Sequence, residues 1–93
     1  MSVQILLPGA LASLAGGARH LDVEPAGGTL ADLLDALAAQ HPLLAGRIRD
    51  ETGQVRRFVN VYVDGDDVRF EGGLAAKVRD GAEVQVLPSV AGG

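Results

Sequence analysis

Apolar residues in this chain recur with two spacings, two residues and about 3.6. Val3 to Leu7 is a β-prone run stopped by Pro8-Gly9, and Arg19-His20-Leu21-Asp22-Val23-Glu24 alternates with Leu21 and Val23 on one face. Period two predicts half-buried strands, so the two segments form a first hairpin with the small, Gly-rich stretch 10–18 as its loop. Pro25 to Gly28 then turns the chain. Leu30, Leu33, Leu34, Leu37 and Ala38 follow at helical spacing and stop before His41-Pro42. Thr29 stands where an N-cap belongs, and Asp32 lies three residues on, able to reach back to it. A shorter helical turn is expected over Leu43 to Ile48.

Beyond a polar loop at 50–57, Phe58 to Val63 reads as a strong strand. It breaks at Asp64-Gly65, a pair suited to a type I′ turn, with a return strand over Asp67 to Phe70. Gly72-Gly73 turns the chain, Leu74 to Val78 packs locally, and Asp80-Gly81 turns it again. Glu83 to Leu87 alternates as the last strand, which Pro88 terminates.

One helix cannot bury its own leucine stripe, so the stripe must lie across a face of the sheet. A first hairpin, a crossing helix and a final strand returning beside the first make a β-grasp arrangement. The fold class is therefore α+β: a mixed sheet of about five strands with one main helix packed across one face. Residues 1–89 are expected to form the domain and 90–93 a flexible tail.

Composition narrows what such a domain does. Of 93 residues 47% are hydrophobic but only 3% aromatic, without Trp, so the core must be aliphatic. The net charge is −4 with a single lysine, Lys77, which argues against a phosphate-tracking nucleic-acid surface. Arg47, Arg49, Arg56 and Arg57 read instead as solvated residues or as contacts for an acidic protein partner. Cysteine is absent, which fits a reducing compartment. With no leader pattern and no membrane-length apolar run, a cytoplasmic location is expected.

Familiar chemical constellations are missing. Asp64, Asp66 and Asp67 surround a glycine but lack the rest of a calcium loop. His20 and His41 have no neighbouring ligand, which leaves no metal site. Ser2, Ser13 and Ser89 have no nucleophile setting, and Gly27-Gly28 lacks the lysine of a phosphate loop. No catalytic residue intrinsic to the chain is expected, so it is not read as an enzyme. What remains is Val90-Ala91-Gly92-Gly93, a strip almost without side chains that ends in a carboxylate. Two glycines without Cβ can be drawn extended through a narrow channel, and Pro88 stiffens the exit.

Asn60, Leu74, the turn Asp80-Gly81-Ala82-Glu83-Val84, Pro88 and Gly92-Gly93 carry a resemblance to the ubiquitin-like sulfur-carrier proteins of the MoaD/ThiS group. It covers essentially the whole domain. The stretches Arg57 to Val63, Asp67 to Phe70, Gly72 to Ala75 and Leu87 to Gly93 look most like the CysO-type carriers of cysteine biosynthesis; the first half matches mainly in pattern. One departure is Ala82, where many members carry an acid, and it bears on an ionic contact with the activating enzyme.

The resemblance implies a carrier that binds no cofactor of its own and is acted on by others. An E1-like enzyme would use ATP to adenylate the Gly93 carboxylate, and sulfide or a persulfide would convert it to a thiocarboxylate. Gly92, Ala91 and Val90 would thread into partner active sites. The implied acceptor is a PLP-dependent cysteine synthase, with a zinc metallohydrolase trimming the carrier afterwards. If Val59, Val61 and Val63 face the helix, then Phe58, Asn60 and Tyr62 face outward. Phe58 and Tyr62 beside Leu87 then form a partner-binding patch, or else cover an edge of the core. Two other uses of the tail stay open: completing molybdopterin synthase as its small subunit, or conjugation as a ubiquitin-like modifier through Gly93.

Overall fold

The computed structural model describes residues 1–88. Among them the chain runs β1 (Val3–Leu6), α1 (Gly9–Ala12), β2 (His20–Val23), α2 (Leu30–Gln40), α3 (Pro42–Ile48), β3 (Val59–Val63), β4 (Asp66–Asp67) and β5 (Glu83–Pro88). The sheet order is β2-β1-β5-β3-β4. β1 pairs antiparallel with β2 and parallel with β5, while β3 pairs antiparallel with both β5 and β4. A parallel pair needs a crossover connection, and α2 and α3 lie in the segment that joins the first hairpin to the rest of the sheet. This is the mixed five-stranded sheet and β-grasp expected from the pattern, and the ubiquitin-like fold that the resemblance implies.

The core is aliphatic. Val3, Ile5, Val23, Val61, Val84 and Val86 point from the sheet toward Leu30, Leu33, Leu34 and Leu37 of α2, all at most 1% exposed. Burying a side chain of this size contributes about 2 kcal/mol. The start of α2 is fixed by a reciprocal cap. Asp32 N–H donates to Thr29 Oγ1 and Thr29 N–H donates to Asp32 Oδ2, each at 3.2 Å. Gly27 makes room for that carboxylate, since a Cβ there would lie 2.3 Å from Asp32 Oδ2. The stripe differs in one position: Ala38 is exposed and Ala36 packs against the core. Pro42 opens α3, whose Leu44, Ala45 and Ile48 are buried.

Two local expectations need correction. The stretch 10–18 is not a plain loop, because α1 and a 3₁₀ turn at Ser13–Ala15 occupy it. Leu11, Ala12 and Ala15 are buried there, so one helical turn of good helix formers covers the core edge. The return strand is only Asp66–Asp67. Asp67 Oδ1 accepts from the N–H of Arg69 at 2.9 Å and starts a 3₁₀ turn over Val68–Phe70, which buries Val68 and leaves Phe70 outside. The side chain of Ala82 is 3% exposed and belongs to the core.

Strand ends shift slightly as well. β3 begins at Val59 rather than Phe58, and β5 continues through Pro88, opposite Val59. The turn between β3 and β4 has φ 50° at Asp64 and 89° at Gly65, the two positive values that type I′ requires. Asp64 also closes the neighbouring strand, its carboxylate accepting from Glu83 N–H at 2.9 Å. No helix among the described residues is long and apolar enough to cross a membrane.

Candidate functional site

β5 delivers the chain to residue 88. Its first half lies between β1 and β3, but β1 reaches only as far as Gln85, so Val86 to Pro88 pair with β3 alone. Gly93, Gly92, Ala91 and Val90, the expected reactive tail, lie outside the described residues. The last pairs place Asn60 opposite Leu87 and Val59 opposite Pro88. The surroundings of the tail's root are therefore the two ends of that pairing, the outer face of the sheet and the segment just before β3.

On the outer face, Tyr62 stands opposite Gln85 and hence diagonal to Leu87, both half-buried. Val59 and Val61 point the other way, into the core, as the alternation requires. Asn60 is held from the side by Arg69, whose Nη2 donates to Asn60 Oδ1. The same guanidinium grips Asp67, with Nη2 at 3.0 Å from Oδ2 and Nε at 3.2 Å from Oδ1. This side-chain hydrogen bonding, reinforced by the Arg69 backbone N–H, holds the Asp67 carboxyl below the usual carboxylate range. Asp67 in turn raises Arg69 further. The result is a fixed polar clamp beside Tyr62, tying β3 to the turn that follows β4.

Phe58 sits elsewhere. It precedes β3, is 60% exposed, and carries the Arg57 guanidinium 5.9 Å from its ring centre. It lines a cleft of about 710 Å³ between α3 and the segment 56–59, together with Pro42, Leu43, Arg47 and Arg56. The structure thus places Tyr62 and Leu87 on the sheet and Phe58 on the cleft wall, with Val59 as the residue between them.

Sequence reasoning overlooked two exposed apolar residues, Leu43 at 74% and Phe70 at 84%. Leu43 was readable: Leu44, Ala45 and Ile48 form the inward stripe of α3, which turns Leu43 outward. Phe70 was not, because the alternation Val68-Arg69-Phe70 is equally compatible with a strand. Among the described residues, no three His, Asp or Glu side chains are grouped to hold a metal ion.

Comparison with known proteins gives this geometry a family. Residues 5–93 match the ThiS family. Over its full length the chain is 40% identical to the sulfur carrier protein CysO of Mycobacterium tuberculosis, also covered in full. Its structure superposes on CysO in the BexX/CysO complex of Amycolatopsis orientalis with TM-score 0.85 and 38% identity, covering 98% of this chain and 99% of that one. The small archaeal modifier protein SAMP1 of Haloferax volcanii superposes with TM-score 0.83 at 32% identity, both chains covered in full. Five strands, one capped helix across them and a matching sequence through Gly93 lead to one statement: the chain belongs to the ThiS family.

Proposed function

We propose that this protein is a sulfur carrier whose Gly93 carboxylate is the working group. The observation that carries the reading is the end-to-end match to sulfur carrier protein CysO, which extends past β5 and through Gly92-Gly93. A carboxylate is a poor electrophile. An ATP-dependent partner would join it to AMP, releasing pyrophosphate, and sulfide would then attack the carbonyl and expel AMP; a persulfide attacking in its place would leave an acyl disulfide, whose S–S bond a thiol must then reduce to free the same group. The product is a C-terminal thiocarboxylate, an anionic sulfur nucleophile on a protein handle. Gly92, Ala91 and Val90 would pass it into a second active site, for which a PLP-dependent cysteine synthase is the proposed acceptor, with cysteine the eventual product.

The fold supports this division of labour. The described residues build a rigid platform, and β5 runs directly into the tail. Chemistry is left to partner enzymes, with Tyr62 and Leu87 on the sheet and Phe58 before it as proposed partner contacts. Intact mass measured after incubation with the cognate adenylating enzyme, ATP and a sulfur source should show one oxygen exchanged for sulfur. An unchanged mass sinks the reading, and Gly93 deletion should abolish the exchange.

A second reading, conjugation to other proteins through Gly93, is favoured by the similarity to SAMP1, which is named as a modifier. Diglycine remnants on target lysines after proteolysis would establish it, and their absence alongside sulfur loading would exclude it.

A further inference from the structure

The cleft between α3 and residues 56–59 carries a charge opposite to that of the chain. The protein has a net charge of −4, yet Arg47, Arg56 and Arg57, three of its eight Lys and Arg residues, line this one depression. Its single acid, Asp50, is turned to local use: its carboxylate accepts from the Thr52 hydroxyl and from the backbone N–H groups of Thr52 and Gln54. None of the three arginines forms an ion pair among the described residues. Arg56 is anchored across the cleft by its Nε, which donates to Gly46 O at 2.8 Å, so the charge is held in place. Between the arginines stand Leu43 and Phe58, the two most exposed apolar side chains of this region. Arginine and aromatic side chains such as Phe58 are enriched at protein interfaces, and the cleft is continuous with the root of the tail through Val59, the partner of Pro88.

We infer that this cleft docks an acidic surface of the adenylating enzyme, with carboxylates meeting Arg47 and Arg57 and an apolar side chain seated between Leu43 and Phe58. The inference rests on the sulfur-carrier reading. Docking here would fix the root of the tail while its end enters the active site, so the cleft sets affinity and on-rate rather than chemistry.

The test is pyrophosphate release by the cognate adenylating enzyme at varied carrier concentration, comparing wild type, R47E/R57E and K77E/R79E. The last pair lies at a separate depression beside Asp64, Asp66 and Glu71. R47E/R57E should raise KM about ten-fold with kcat unchanged and flatten its dependence on salt, while K77E/R79E stays within about two-fold of wild type. Circular dichroism checks folding, and R47Q/R57Q replaces the reversal if it unfolds. A KM within about two-fold of wild type for R47E/R57E overturns the inference, as does an equal rise in both double variants. A wild-type dimer in sedimentation that R47E/R57E dissociates overturns it too, by giving the cleft to a second copy. Wild type that releases no pyrophosphate overturns the inference and the carrier reading together, whereas an active wild type with an indifferent R47E/R57E overturns the docking alone.

Discussion

Helices α2 and α3 are neighbours in sequence and in space, yet only α3 turns one of its leucines outward. Leu30, Leu33, Leu34 and Leu37 of α2 are at most 1% exposed, whereas Leu43 of α3 is 74% exposed and faces a cleft it shares with Phe58. α2 starts with a side-chain cap, while α3 starts on Pro42 with none. Residue type does not separate the two roles. Position relative to the sheet does: α2 lies over the core, and α3 flanks the segment that leads into β3, next to the root of the tail.

The sharpest way to break this comparison is to truncate one leucine from each helix. Leu34→Ala should cost about 3 kcal/mol, as expected when a large buried side chain leaves a cavity. Leu43→Ala should stay within about 0.5 kcal/mol, as exposed substitutions do. Urea denaturation measures both. Equal losses would mean that Leu43 is part of the core and that the cleft is a packing defect rather than a surface for recognition.

The same contrast explains what could be read before the structure. α2 was legible in all but the place of Ala38, because a leucine stripe, a Thr29-Asp32 cap and a Pro42 stop all point the same way. The sheet was legible from alternation, and Asp64-Gly65 fixed the β3–β4 turn. The short segments were not. At 10–18 the glycines suggested a loop, but Leu11, Ala12 and Ala15 had a core edge to cover, and tertiary packing overrode composition. At 68–70 the Asp67 side chain captured the Arg69 N–H and turned the chain out of the sheet, a local competition that alternation does not reveal. Of the candidate site, Tyr62 and Leu87 followed from the strand period. The cleft did not, because it brings residues 42–47 against 56–59, a long-range contact without a periodic signature.

A smaller effect is expected at the helix cap, which sharpens the α2 side of the comparison. Thr29→Ala should cost about 1 kcal/mol, a typical loss for a cap. Gly27→Ala should cost about as much for an indirect reason, since its Cβ would sit 2.3 Å from Asp32 Oδ2 and displace the carboxylate from Thr29. In an Asp32→Ala background the Gly27→Ala change should become nearly neutral, because the group it displaces is gone. A full loss in that background would show that Gly27 matters for backbone conformation instead. No substitution in α3 has a corresponding cap to lose.

The smallest effect is in pH, and it distinguishes the polar clamp on the sheet from the rim of the cleft. Asp67 lies below its ordinary 3.8 chiefly through the Arg69 side chain, whereas Asp50 does so chiefly through the neutral Thr52 hydroxyl. In both cases the folded state holds the proton less tightly than the unfolded chain. The stabilisation is therefore fully present above the ordinary carboxylate value and is lost as pH falls through the lower folded value. Asp67→Asn and Asp50→Asn should each lower the midpoint temperature at neutral pH by less than the cap variants do, and the difference from wild type should shrink as pH drops below about 4. Salt then separates the two. The Asp67 contribution depends on the Arg69 charge at an exposed site and should weaken in high salt, while that of Asp50 rests mainly on neutral donors and should persist. Equal salt sensitivity would mean that the arginines of the cleft, Arg56 first among them, act on Asp50 as strongly as Arg69 acts on Asp67, and that less of the cleft's positive charge is left for a partner.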